Sequence, residues 1–319
     1  IRQSRRVNQR SGASRCVSGV LMQKVIETLL IGVTTGSIYA LMSLAIVLVW
    51  RSTRVVNFAQ AGQAMLATYV GFEVSSRTGL FWLAVLFAIL SGALVGAGVD
   101  YFFMRVLFKH AKTGPAVVVA PVIATLGLLG LIRSLVGLTW GGEFKTIQAP
   151  VSTDGYTIGS TTIPFSALNA LIIVTVSVIL IALAILFQRT NLGLAIRASA
   201  YAPEIAKLAG IRTARTRTIG WAIAGGVGGV AGMLVTSNNF LSPYSLDLLL
   251  VFGFIAAVIG GLESMIGAVI GAIVLGIGLT VILNYIGTSL VFIGGFTVLI
   301  LVLLIKPDGI MAKGKGRRA

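Results

Sequence analysis

Along this chain apolar residues gather in long uncharged runs, and polar residues collect between them. Nine apolar stretches lie near 28–50, 55–72, 79–104, 115–139, 164–187, 218–237, 246–261, 265–285 and 289–305. Each is long enough to be a membrane-crossing helix or part of one. The pattern predicts an all-α polytopic membrane bundle of about eight or nine transmembrane segments. Several runs fall short of the ~20 residues a full crossing takes, so one or more broken or re-entrant helices are expected.

The connections sort by charge. Arg105, Lys109 and Lys112 mark one basic turn, residues 188–217 a second, and the tail with Lys306, Lys313, Lys315, Arg317 and Arg318 a third. The excess of Lys and Arg places all three on the cytoplasmic side. Loop 140–163 holds only Lys145 against Glu143 and Asp154, so it belongs outside. That loop is rich in Gly, Ser and Thr, with period-two patches such as Tyr156 and Ile158, and reads either as a small hairpin over the outer mouth or as a solvated connector. Residues 1–21 carry Arg2, Arg5, Arg6, Arg10 and Arg15 and read as a basic, disordered extension. The transmembrane domain is placed at 22–308 and a basic cytoplasmic tail at 309–319. Nine crossings would put the N-terminal end outside. Reading 55–72 as re-entrant leaves eight and brings the arginine cluster inside, which is the favoured arrangement.

Composition narrows the function classes. Hydrophobic residues are 56% of 319 and charged ones 11%, less than half the charge of a soluble domain. The 39 glycines suit closely packed membrane helices. A net charge of +16 invites a nucleic-acid reading, but the basic residues lie between apolar spans and orient the chain against anionic lipid instead. No nucleic-acid partner is expected. One cysteine, Cys16, and one histidine, His110, exclude a disulfide framework or a His/Cys metal cluster within the chain. There is no P-loop and no nucleophile–base constellation, so neither a cofactor nor an enzyme activity is expected on this chain.

The longest polar interruption is 188–217, with six basic residues and the single acid Glu204. Pro203 suits a first helical position and Gly210 the position after the last turn, which predicts a short helix between them. Ile205, Leu208 and Ala209 share one face at helical spacing. A charged loop ending in a small apolar knob fits docking onto a partner; the bland reading is a helix lying on the bilayer surface. Its pattern Gly193-x3-Arg197-Ala198-x7-Ala206-x3-Gly210-Ile211 resembles the cytoplasmic coupling loop of ABC-importer permeases of the branched-chain amino acid (LivH-like) family. In that family the loop seats in a groove of the ATPase, which implies that Ala206 and Gly210 are small because a partner approaches there.

Two further motifs carry the same resemblance. Val56-Asn57-Phe58-Ala59-Gln60-Ala61-Gly62-Gln63 puts Asn57 and Gln60 on one helical face with Gln63 beside them. Buried amides in a membrane either line a hydrated path or bond helices together, and both readings stand. The segment is similar to the family's Asn-Phe-Ala-His/Gln-Gly-Glu, with Ala61-Gly62 where that family has Gly-Glu. Val258-Ile259-Gly260-Gly261-Leu262-Glu263-Ser264-Met265-Ile266-Gly267 is similar to the family's glycine turn between two helices, with Glu263 in place of Gly and Ile266 where Pro is common. Gly260, Gly261 and Gly267 permit the tight turn. Glu263 reads as a solvated turn charge near a basic loop. Arg133 and Asp100 lie at depths that do not match, and Asp247 reads as a cap at an outer helix start, with Ser237, Asn238 and Asn239 at the external mouth.

The three motifs occur in the family's order between about Met22 and Gly309. The resemblance implies the transmembrane permease subunit of a bacterial inner-membrane ABC importer for branched-chain or other hydrophobic amino acids. It further implies a second permease, sister or identical, two cytoplasmic ATPase subunits that bind ATP and Mg²⁺, an external binding protein, and alternating access. Two rivals remain. The missing carboxylate favours a urea or short-amide permease of the same architecture. An ion-coupled secondary transporter would need an intramembrane relay among Asp100, Arg133 and Glu263.

Overall fold

The computed structural model describes residues 2–110, 116–158, 161–306 and 309–311. Helix α1 (Arg2–Thr53) is followed by α2 (Gln60–Thr78) and α3 (Phe81–Gly98). A π-helical turn (Val99–Met104) joins α3 to α4 (Arg105–His110), and α5 (Ala116–Trp140) follows. Strands β1 (Gly155–Ile158) and β2 (Thr161–Ser166) lead into α6 (Ala167–Arg189), α7 (Asn191–Tyr201), α8 (Pro203–Leu208) and α9 (Thr213–Thr236). The chain continues through α10 (Asp247–Gly260), α11 (Met265–Tyr285), a 3₁₀ turn (Thr288–Leu290) and α12 (Val291–Ile305). Seven of these helical stretches are long and apolar enough to cross a membrane, and α2 and α10 complete the nine apolar segments of the sequence. The chain is an all-α, multi-pass membrane protein.

Close contacts fix the direction of each helix. Gly32 and Gly36 of α1 lie against Ile277 and Ile273 of α11, so these two run antiparallel. Along α9, Gly228 faces Gln60 and Gly232 faces Thr68, so α2 runs parallel to α9. Segment 54–59 is largely non-helical and brings the chain from the end of α1 into the bundle, where Gln60 already lies beside Ala224, halfway along α9. The helix then reaches the far end, where Trp140 Nε1 donates to Glu73 Oε2 at 3.3 Å. The second segment is therefore broken near its start, yet it runs on to the far end instead of turning back as the re-entrant reading from charge balance had it. With nine alternating segments the Met22 end of α1 lies opposite the coupling loop, contrary to the expected cytoplasmic N-terminal side. Packing against α9 and α11 sets these directions, whereas the arginines of 1–21 contribute only a charge preference beyond the span. The backbone of residues 2–21 continues α1 as helix.

Small residues allow a backbone-to-backbone crossing. Ala88, Gly92 and Gly96 of α3 face Trp221, Gly225 and Gly229 of α9 at four-residue spacing. A Cβ on Gly92 would collide with the Gly225 carbonyl, and one on Gly96 with the Trp221 carbonyl. Such backbone contact is how helices associate where lipid supplies no hydrophobic drive. At the end opposite the coupling loop β1 and β2 pair antiparallel, with an irregularity at Gly155/Tyr156. Lys145 and Leu241 exchange backbone bonds of 2.9 and 2.8 Å that tie this loop to the approach to α10. Of the two readings of loop 140–163, the hairpin is the one formed.

Gly225→Ala is expected to lower the melting temperature of the purified protein, because a methyl group meeting backbone forces the helices apart at roughly 1–3 kcal/mol. Gly130→Ala, where an added Cβ meets nothing within 4 Å, should leave it unchanged or raise it through better helix propensity. Equal melting temperatures for the two variants would contradict this account of the crossing.

Candidate coupling and translocation sites

The loop between α6 and α9 folds into two short helices. Thr190 caps α7, its hydroxyl accepting from the Gly193 N–H at 3.1 Å. Gly193 packs against the backbone of α6, where a Cβ would lie 2.6 Å from Phe187 Cα, so only glycine lets α7 fold back over the end of α6. Ile196 is buried, and Arg197 and Ala198 are half-buried. Ala202 leaves the helical region ahead of Pro203, as a residue before proline is biased to do, and Pro203 starts α8. At the other end the Gly210 N–H donates to Lys207 O at 3.0 Å and the Ile211 N–H to Ala206 O at 2.9 Å. With Gly210 at φ +81°, this is a Schellman closure.

The apolar knob on this loop is real. Tyr201, Ile205 and Leu208 are 93%, 68% and 89% exposed. Ala206, in contrast, is buried where α8 meets α7 and α9. Its small size answers to the chain's own packing, and that of Gly210 to its backbone conformation. Neither is explained by a partner.

Asp100 is the strongest electrostatic feature, and the sequence did not reveal its partners. It sits fully buried in the π-helical turn below α3. Arg217 Nε donates to Oδ1 at 2.6 Å, the Thr218 hydroxyl donates to Oδ2 at 2.6 Å, and Arg105 Nε stands 3.7 Å away. Arg105 Nη2 also donates to the Thr218 hydroxyl at 2.7 Å. Breaking such a buried set typically costs ~3–5 kcal/mol. It clamps the first turns of α9, directly after the coupling loop, to the end of α3. Arg133 instead bonds Asp247, which occupies the first position of α10 and gives its carboxylate to α5 rather than capping its own helix. Glu263 bonds Arg54, both well exposed. The acids on which an ion-coupled mechanism could draw are thus each engaged by an arginine.

Gly260 and Gly267 meet backbone to backbone at the α10–α11 turn, and Gly261 takes φ +98°. The Ser264 hydroxyl caps α11 by accepting from the Gly267 N–H at 3.0 Å. The chain beyond the last helix returns to this turn: Gly309 packs on Gly261, and the Ile310 N–H donates to Ile259 O at 2.8 Å.

At the opposite end a cavity of about 630 Å³ opens between α1, α6, α10 and the segment before α10. Thr34, Asn169, Asn238, Asn239 and Ser245 share its wall with Tyr39 and Phe252, and among the described residues no charged one lines it. Asn238 and Asn239 thus reach the external mouth, while Ser237 is buried and donates to Met233 O at 2.7 Å. Asn57, Gln60 and Gln63 do not line this cavity; all three are fully buried. Asn57 Nδ2 donates to Gln60 Oε1 at 3.2 Å, and Gln60 Nε2 donates to Ala224 O at 3.0 Å, joining α2 to α9. The Gln63 amide has no hydrogen-bond partner within the described chain.

Comparison with known proteins gives the family. A family model described as branched-chain amino acid transport system / permease component matches residues 28–305. The high-affinity branched-chain amino acid permease LivH of Salmonella typhimurium is 28% identical over 292 residues, covering 88% of this chain and 94% of the relative. A probable LivH of Methanocaldococcus jannaschii is 30% identical over 297 residues, covering 86% and 89%. The autoinducer 2 import permease LsrC of Yersinia enterocolitica is 30% identical over a shorter stretch of 219 residues, covering 66% and 56%. The chain belongs to the family of branched-chain amino acid transport permease components, and it is a transport subunit rather than an enzyme.

Proposed function

We propose that this chain is the inner-membrane permease of an ATP-driven importer for branched-chain and other neutral hydrophobic amino acids. The observation that carries the reading is the exposed trio Tyr201, Ile205 and Leu208, held on a rigidly closed loop at the basic end of the bundle. A knob of large apolar side chains in water is costly unless a protein or a lipid surface covers it, and the charged residues around this one favour a protein. An ATPase subunit on each of two permeases, with a binding protein delivering substrate outside, completes the system that the family resemblance implies.

Force on α7 and α8 passes into α9 through Ile211–Thr213, and from α9 into α3 through Asp100. Because α3 and α9 touch backbone to backbone, they move together rather than sliding. The outer cavity offers neutral hydrogen-bonding groups beside aromatic rings, which suits a solute that is zwitterionic or uncharged overall and carries an apolar body. Asn57, just before α2, and Gln60 and Gln63, in its first turn, lie inward from it. A buried amide without a partner costs about 1–3 kcal/mol, so Gln63 favours a rearranged state in which the path opens and its amide meets substrate or water.

Leu208→Asp is expected to abolish co-purification of the ATPase and its substrate-stimulated hydrolysis. Thermal stability should stay within about 0.5 kcal/mol of wild type because the site is exposed. Lys207→Ala serves as the neutral control. A Leu208→Asp complex that keeps its ATPase refutes coupling through this knob. Uptake of radiolabelled leucine against urea, in membrane vesicles carrying the assembled system, tests the substrate class.

Gln63→Leu and Gln60→Leu should separate path from scaffold. Gln63→Leu removes an unpaired amide, so stability should hold or rise while uptake falls several-fold. Gln60→Leu breaks the bond to Ala224 O and should lower stability. Undiminished uptake per folded Gln63→Leu complex would remove Gln63 from the path.

A further inference from the structure

A cavity of about 980 Å³ lies at the coupling end, between α1, α6 and α11, well away from the outer mouth. Its walls are apolar, with Leu44, Leu180, Ala184 and Val269, and its outer edge is formed by Ile181 and Ile270, which are 60% and 44% exposed. It therefore opens sideways along α6, the span with large exposed residues at Val174, Val178, Ile181 and Ile185. Its rim is of another kind. Arg51 from the end of α1, Arg189 from the end of α6 and Arg197 from α7 line it together, with Glu263 the only acid among the described residues lining it and that acid bonded to Arg54.

We propose that this groove is a binding site for an anionic phospholipid. The phosphate headgroup meets the three guanidiniums, and an acyl chain lies between α6 and α11. Both halves of the site are needed. A free anion leaves the apolar walls uncovered, and a zwitterionic lipid leaves the excess positive charge unbalanced. Guanidinium groups match phosphate geometrically, and basic pockets between spans at the cytoplasmic face are where acidic headgroups are held. An identical second permease fits less well, because a two-fold contact here would set these arginines against their own copies. Arg197 also belongs to the coupling loop, so a bound lipid would brace α7 against the end of α6.

The test uses the assembled importer in nanodiscs of phosphatidylethanolamine alone or mixed with phosphatidylglycerol, with retained lipid counted by native mass spectrometry. Wild type should retain phosphatidylglycerol in preference to phosphatidylethanolamine. Arg51→Gln and Arg189→Gln should each weaken that retention about fivefold, the effect of one basic group at an anionic surface. Ala184→Trp, which fills the groove without altering charge, should abolish it. Should the glutamine variants fail to assemble, the tryptophan variant carries the test alone. Equal retention of the two lipids by wild type, or unchanged retention in Ala184→Trp, overturns the proposal. A photo-reactive residue at position 181 that crosslinks to the second permease instead of lipid also overturns it.

Discussion

The contact between α3 and α9 is the constraint from which the rest follows. Glycines at 92, 96, 225 and 229 bring the two backbones together, and Asp100 pins their cytoplasmic ends through Arg217 and Thr218. A carboxylate buried this completely persists only when charge and hydrogen bonds both satisfy it. The π-helical turn is what places it there, and such turns inside helices recur at functional sites. With α3 fixed to α9, and α2 laid along α9 by Gln60, one half of the bundle becomes a unit that continues directly from the coupling loop.

The other half is organised around α1 and α11, again through glycine, with α10 turning into α11 at Gly260 and Gly261. The returning tail places the Ile310 N–H on Ile259 O, at the C-terminal end of α10, where helix carbonyls lack internal partners. Backbone groups left over at helix ends are satisfied by such local devices, as in the Schellman closure of α8. Side-chain amides are treated differently: Gln60 is bonded, while Gln63 is left unpaired beside it. That asymmetry within one motif separates a scaffold residue from a candidate path residue.

Chemically the two ends differ. The outer mouth combines neutral amides and hydroxyls with aromatic rings, and the coupling end combines arginines with exposed aliphatic side chains. The first suits the neutral solute proposed for it; the second suits the partners proposed for it, an ATPase on the knob and acidic lipid at the rim.

Much of this was legible in the sequence, because membrane solvation acts on composition directly. An uncharged run of sufficient length must bury its backbone in a helix, so nine segments, the basic loops between them and the short helix from Pro203 to Gly210 could be read from residue types alone. Which way a polar side chain points could not. Ala206 lies on a helix whose pattern permits either face, and only docking against α7 and α9 turned it inward. Asp100 and Arg217 are separated by 117 residues, and no local pattern brings them together; the α3–α9 crossing does. The direction of α1 was misjudged for a related reason. Charge counting weighs each loop by itself, whereas the antiparallel fit of Gly32 and Gly36 on α11 couples the first span to the eighth. Local physics determined the elements of this protein, and contacts between distant helices decided their orientation, their ion pairs and their cavities.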